Sequence, residues 1–105
     1  MNNNPKPLPL QNLNNKLLCQ AFVEINLAPK EKFEEKHRQL RFVLPNGAIV
    51  QLLDVQVLSY QAISDIYTIP ATGMQEGDFR RWWEKSNPGV TDDTLMGIYY
   101  YRRSE

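Results

Sequence analysis

The chain has 105 residues, and because 12 basic side chains match 12 acidic ones its formal net charge is zero. This length suits a single domain, while the charge balance excludes both nucleic-acid binding by bulk positive charge and an acidic disordered tail. No apolar run approaches the roughly 18–20 residues of a membrane span, and the single cysteine, Cys19, cannot form an internal disulfide, so we expect a cytoplasmic protein with no membrane partner.

The amino-terminal segment differs in composition from the rest of the chain. Residues 1–15 hold six Asn and three Pro and show no sustained hydrophobic period. Such a segment buries too little apolar surface to offset its loss of conformational entropy. We therefore predict a flexible arm over residues 1–15, whose Pro-rich run could alternatively be a polyproline ligand, and a single domain over residues 16–105.

The first predicted strand covers residues 17–27, where apolar side chains alternate with a mixed set. Cys19 lies on the wholly apolar face of this strand, which indicates a buried structural thiol. Residues 28–40 are rich in charge, and Pro29 suits a first helical turn, but few apolar positions support a helix. This stretch is predicted as a short solvated helix or a charged loop.

A hairpin is predicted next in the chain. Its arms are residues 40–44 and 48–58, and between them Pro45 presets a turn while Gly47 can adopt the left-handed conformation of a short hairpin loop. The second arm is apolar on both faces in its middle. A strand of this kind is covered on both sides, or it is bulged and bent within a barrel.

The last part of the domain is predicted as loop, helix and strand. Residues 59–75 are expected to form a loop with one short turn, because a proline and a glycine interrupt any longer helix. Asp78 is suited to cap a helix over residues 79–86, and the last strand covers residues 95–102. This order of elements indicates an α+β domain with a small curved sheet or partial β-barrel and two short helices.

Composition excludes most enzymatic sites. His37 and Cys19 are each the only residue of their type, so a Cys/His zinc site cannot be assembled, and His37 stands among solvated charges that would not orient it for catalysis. The five glycines are scattered and form no phosphate-binding loop. Acid/base chemistry would have to use Asp54, Asp65 or Glu76, for which the spacing positions no partner. We assign no metal, no cofactor and no catalytic residue.

Two clusters of basic and aromatic residues remain. Near residues 78–85, Phe79, Trp82 and Trp83 share one face of a helix, which is typical of a stripe that docks on a core; alternatively, one tryptophan is a stacking platform beside arginines. Residues 98–103 form the second cluster, whose tyrosines combine an apolar body with a polar tip. The candidate nucleic-acid-binding residues are Arg41, Arg80, Arg81, Trp82, Tyr99, Tyr101, Arg102 and Arg103.

The carboxy-terminal half resembles a known family. The succession of strand 54–58, Ile-Ser-Asp 63–65, Gly-Met 73–74, the Trp-containing stretch 78–83 and the aromatic strand 98–101 is similar to the second half of ASCH domains, of the PUA-like superfamily. The resemblance implies a small β-barrel with helices and a cleft for RNA or a nucleotide. The Gly-x-Lys-x-x-Thr-x-Arg motif that ASCH domains usually carry is absent here, so their hydrolase activity is not implied.

These patterns support two hypotheses of function. The first is a small non-catalytic module that binds RNA or a nucleotide through an arginine and aromatic surface, in agreement with a formal charge of +3 over residues 1–50 and −3 over residues 51–105. The second is a protein-interaction or accessory protein of phage, plasmid or mobile-element type. It would bind a protein partner or form a homodimer by pairing an exposed strand such as residues 17–27 or 95–102.

Overall fold

The computed structural model describes residues 6–8, 20–31 and 40–104. The elements in chain order are β1 (Lys6–Pro7), β2 (Ala21–Leu27), β3 (Arg41–Val43), β4 (Ile49–Ser59), a 3₁₀ turn (Tyr60–Ala62), α1 (Asp65–Thr72), α2 (Glu76–Ser86) and β5 (Leu95–Arg103). The predicted α+β class is confirmed. Cys19, His37 and most of the charged stretch lie outside the described residues, as does most of the predicted arm, from which Lys6–Pro7 form β1.

The five strands form one mixed sheet in the order β1-β3-β4-β5-β2. Only β1 and β3 are parallel, and in the part of the chain described the end strands β1 and β2 do not pair, so the sheet is open. The central strand β5 is hydrogen-bonded to β4 on one side and β2 on the other. The prediction that residues 95–102 offer an exposed pairing edge is therefore wrong, because both backbone sides of that strand are occupied.

The predicted hairpin is confirmed by the pairing of β3 with β4. Phe42 lies opposite Val50, and in the connecting turn Gly47 has a φ of +89°, a left-handed conformation that glycine adopts at little cost. The N–H of Leu44 donates to the carbonyl of Ala48 at 2.8 Å and closes the turn. The turn predicted from Pro45 and Gly47 is therefore the one observed.

A bulge in β4 explains why that strand is apolar on both sides. Its register against β5 shifts by one residue between Leu52 and Asp54, so Leu53 is an extra residue. Because side chains alternate along a strand, the extra residue places Val50 and Leu52 before the bulge on the same face as Val55 after it. Of the two predicted explanations, the bulged strand is the one observed.

The two faces of the sheet carry separate cores. On one, named here the helix face, Met96 and Ile98 of β5 pack with Ala71 of α1 and with Phe79 and Trp83 of α2. The opposite face, named the hairpin face, carries a second core made of Phe22, Leu44, Ala48, Val50, Leu52 and Tyr101. The helices pack around the Met96 end of the helix face, and at its other end the side chains of Arg41, Arg102 and Ala21 are exposed.

Helix α1 lies within residues 59–75, so the prediction of a loop there is wrong. Pro70 lacks the N–H that would bond the carbonyl of Ile66, but it lies in the last turn and Ile66 is 73% exposed, so water can reach this region. The helix ends at Gly73, whose φ of +77° is the left-handed conformation of a helix cap.

The predicted helix over residues 79–86 is confirmed as α2, which begins earlier, at Glu76. Asp78 lies in its first turn rather than at the N-cap, and its charge there still favours the positive end of the helix dipole. The N–H of Glu76 donates instead to Oδ1 of Asp65 at 2.7 Å. This hydrogen bond joins the first residue of α1 to the first residue of α2.

Replacing Thr68 by valine is expected to raise the free energy of unfolding by about 1 kcal/mol. Thr68 is fully buried and its hydroxyl has no hydrogen-bond partner among the described residues, whereas valine keeps the branched shape without the hydroxyl. Thr72→Val is the matched control, since Oγ1 of Thr72 donates to the carbonyl of Thr68 at 2.7 Å and accepts the N–H of Met74 at 3.1 Å. Urea unfolding should show opposite shifts for the two variants, and destabilisation by both would contradict the prediction.

Candidate nucleic-acid interface

The side chain of Arg80 connects α2 to the 3₁₀ turn through hydrogen bonds inside the protein. Its side chain is 21% exposed, and its guanidinium donates to the carbonyls of Tyr60 at 3.3 Å, Gln61 at 3.4 Å and Ile63 at 2.7 Å. Its Nε donates to Oε2 of Glu76 at 3.1 Å, and its Cζ lies 4.7 Å from the centre of the Tyr60 ring. These contacts occupy the guanidinium, so binding a phosphate would require breaking them.

Tyr60 lies beneath Arg80 and is 3% exposed. Its hydroxyl donates to Oε2 of Glu84 at 2.8 Å. Burial, followed by this hydrogen bond and the negative charge of Glu84, raises the pKa of Tyr60 to about 12, although the charge of Arg80 acts in the opposite direction. The phenol therefore keeps its proton at neutral pH and links the end of β4 to α2.

The other two candidates on α2 differ in burial. Arg81 is exposed and forms an ion pair with Asp78 one turn earlier. Trp82 is partly buried, with its ring centre 5.9 Å from that of Phe79 and 6.2 Å from that of Trp83. Phe79 and Trp83 are themselves buried, as a core-docking stripe requires, and Trp82 lies at the rim of this cluster.

The two candidate tyrosines of β5 lie on the hairpin face. Tyr101 is buried and stacks on Phe22 with 5.2 Å between ring centres. Tyr99 is partly buried, and its hydroxyl donates to the carbonyl of Leu27 at 2.6 Å. Burial raises the pKa of both tyrosines. Arg103, on the same face, is partly buried and has contacts of its own.

Arg41 and Arg102 lie in one row at the exposed end of the helix face. Arg41 of β3 lies opposite Gln51 of β4, and Gln51 lies opposite Arg102 of β5. Adjacent strands are about 4.8 Å apart, so the two arginine Cα atoms are roughly 10 Å apart. Both side chains are exposed, and within the described ranges neither guanidinium has an ion pair or a hydrogen bond. We name Arg41, Gln51 and Arg102 the arginine row.

Tyr100 lies beside the arginine row on the same face. Its hydroxyl donates to Oε1 of Gln56 at 3.1 Å, and Nε2 of Gln56 donates to the hydroxyl of Tyr67 at 3.3 Å. Burial, with smaller contributions from Tyr67 and Asp54, raises the pKa of Tyr100. Tyr100 is absent from the sequence-based candidates, although strand alternation alone places it on one face with Arg102.

The three carboxylates considered for acid/base chemistry have structural roles. Oδ1 of Asp54 accepts the N–H of Val55 at 2.9 Å, Asp65 accepts the N–H of Glu76 at the start of α2, and Glu76 pairs with Arg80. Among the described residues, no three His, Cys, Asp or Glu side chains are grouped to hold a metal ion. No helix in the same ranges is long and apolar enough to cross a membrane.

Two largely apolar clefts lie away from the arginine row. The larger, about 360 Å³, is on the hairpin face and is lined by Pro29, Lys30, Glu31, Leu40, Leu52, Val55 and Tyr99. The smaller, about 260 Å³, is lined by Leu27, Asn87, Gly89, Val90 and Thr94. A nucleotide bound in the larger cleft would lie on the opposite side of the sheet from Arg41 and Arg102.

The eight candidates therefore do not form one surface. The structure brings Arg41 and Arg102 into one row, whereas Arg80, Arg81 and Trp82 lie on α2, near the other end of β5. No family model, no curated protein and no solved structure matches this chain.

Proposed function

We propose that this chain is a small non-catalytic module that binds single-stranded RNA through the arginine row and Tyr100. The observation that carries the proposal is the pair of exposed arginines, Arg41 and Arg102, neither of which has an ion pair within the described ranges. A guanidinium presents a planar fork of donors that matches phosphate oxygens. Two such groups in one row suit contact with a phosphodiester backbone.

A base-stacking position lies next to the phosphate contacts. The ring of Tyr100 is partly exposed on the same face as Arg102, and its hydroxyl is held by Gln56. Sheet-based RNA-binding domains stack unpaired bases on aromatic side chains in such positions, and each stack contributes about 1–3 kcal/mol. Phosphates on the arginines and a base on Tyr100 define a single-stranded ligand.

The resemblance to ASCH domains adds support for an RNA ligand, and the cytoplasmic location expected from the single cysteine agrees with it. The proposed surface is nevertheless an open sheet face rather than the cleft of a closed barrel. The internal contacts of Arg80 and the burial of Tyr101 leave both residues out of this surface. A single nucleotide would use the same chemistry with fewer contacts.

Fluorescence anisotropy with labelled oligouridine and oligoadenine tests the proposal. We expect weak binding that falls with salt at a logarithmic slope of about −1.4, because two phosphate contacts on a single strand contribute roughly −0.7 each. The double variant Arg41→Gln/Arg102→Gln should lose at least tenfold in affinity and most of the slope, and Tyr100→Leu should lose affinity with the slope unchanged.

The matched control is Arg81→Gln, which removes an exposed arginine outside the row. Its affinity should stay within twofold of the unsubstituted protein, and circular dichroism should show that every variant is folded. Absence of binding to either oligonucleotide at about 50 mM salt, or an equal loss from Arg81→Gln, would overturn the proposal.

A further inference from the structure

The outer edge of β2 offers a second interaction surface, independent of the arginine row. β2 is the last strand of the sheet, and only its inner side pairs, with β5. In the described parts of the chain no strand pairs with its outer side. An unpaired edge presents backbone N–H and C=O groups that can hydrogen-bond to another strand.

The hydrogen bonds to β5 show which residues of β2 face outward. The N–H of Arg103 donates to the carbonyl of Gln20, and the N–H of Ala28 donates to the carbonyl of Leu95. In an antiparallel ladder alternate residues bond to the same neighbour, so even-numbered positions of β2 bond inward to β5. The backbone groups of its odd-numbered positions therefore face outward, namely those of Ala21, Val23, Ile25 and Leu27.

The carboxy-terminal end of this edge is closed by side chains. The N–H of Leu27 donates to Oδ1 of Asn26 at 2.8 Å, and the carbonyl of Leu27 accepts the hydroxyl of Tyr99 at 2.6 Å. The Tyr99 ring reaches this carbonyl across Gly97, where a Cβ atom would approach the ring to 2.7 Å. The open part of the edge is thus limited to Ala21, Val23 and Ile25.

We infer that a second copy of this chain pairs with this edge, antiparallel and symmetric about Val23. In this register Val23 lies opposite Val23 of the second copy, and Ala21 lies opposite Ile25 of the second copy. The three outward-facing residues of each copy then exchange up to six backbone hydrogen bonds. Glu24 lies opposite Phe22 of the second copy, so no like charges are directly opposed.

The same arrangement keeps the helices on one side of the extended sheet. α1 packs on β2, on the helix face. A twofold axis perpendicular to the sheet at Val23 places both copies of α1 on that face.

Sedimentation equilibrium of the full chain, from micromolar to near-millimolar concentration, tests this inference. The unsubstituted chain should show twice its 12.2 kDa mass at the upper concentrations. Val23→Pro should be monomeric, because proline removes an outward N–H that β5 does not use. Ala21→Pro should also be monomeric, because it removes another outward N–H that β5 does not use. Since Ala21 is exposed at the start of β2, this variant provides the answer if Val23→Pro fails to fold.

Val57→Asp is the control, because Val57 is 49% exposed on the hairpin face, away from this edge. It should keep the mass of a dimer. A mass of 12.2 kDa for the unsubstituted chain at every concentration overturns the inference. So does a dimer that persists in a folded Ala21→Pro or Val23→Pro protein, or one that Val57→Asp disrupts to the same extent.

Discussion

Replacing Arg80 by alanine is expected to lower the free energy of unfolding by about 3 kcal/mol. The change removes the donors to three backbone carbonyls in the segment that joins β4 to α1, and it leaves Glu76 without its ion pair. It also removes the cation that lies over Tyr60. Urea unfolding followed by tryptophan fluorescence measures the loss.

Two controls separate this network from the charge alone. Arg81→Ala, on the next residue, removes an exposed ion pair and should change stability by less than about 0.5 kcal/mol. Arg80→Lys keeps the charge but lacks the planar fork that reaches several carbonyls, so it should recover less than half of the loss. Equal effects of Arg80→Ala and Arg81→Ala would refute the structural role of Arg80.

Features that depend on near neighbours in sequence are the ones that could be predicted. The alternation predicted over residues 17–27 corresponds to β2 (Ala21–Leu27) in the described part of that stretch, and the alternation over residues 95–102 corresponds to β5. The turn at Gly47 and the aromatic spacing in α2 also correspond to observed elements. These patterns are local because a strand or a helix turn places residues two to four positions apart on one face. The face of a side chain therefore follows from its own segment.

Helix α1 could not be predicted, because tertiary packing outweighs its local signals. Pro70 and Gly73 disfavour a long helix, yet Thr68 and Ala71 are completely buried against the sheet and α2. The hydrophobic surface that α1 covers is supplied by distant residues such as Ile25. The sequence of residues 59–75 alone therefore cannot indicate that such a hydrophobic surface is available to stabilise the helix.

The candidate site depends on long-range geometry in the same way. Arg41 and Arg102 are neighbours in a row only because β3 and β5 both pair with β4. The partners of Arg80 come from the backbone of residues 60–63, which no spacing rule connects to α2. An arginine beside aromatic residues in the sequence is therefore equally compatible with hydrogen bonds inside the protein and with an exposed phosphate contact. The tertiary structure is needed to distinguish these two roles.

Replacing Phe79 by alanine is expected to lower the free energy of unfolding by about 4 kcal/mol, which is typical of the truncation of a fully buried phenylalanine. Phe79 is completely inaccessible to solvent, and its ring centre lies 5.9 Å from those of both Trp82 and Trp83, stacked on the latter. Its removal leaves a cavity between α2 and the sheet. The loss can be measured by urea unfolding alongside Trp82→Ala.

Trp82→Ala is the matched control for the aromatic cluster, because Trp82 lies at its rim and is partly exposed. It should cost less than Phe79→Ala, since part of its ring remains exposed to solvent whereas Phe79 is completely buried. It should also leave RNA affinity unchanged, because Trp82 is outside the arginine row. A larger destabilisation from Trp82→Ala than from Phe79→Ala would reverse the assignment of core and rim. A loss of RNA affinity from a folded Trp82→Ala protein would instead place the stacking platform on α2 rather than at Tyr100.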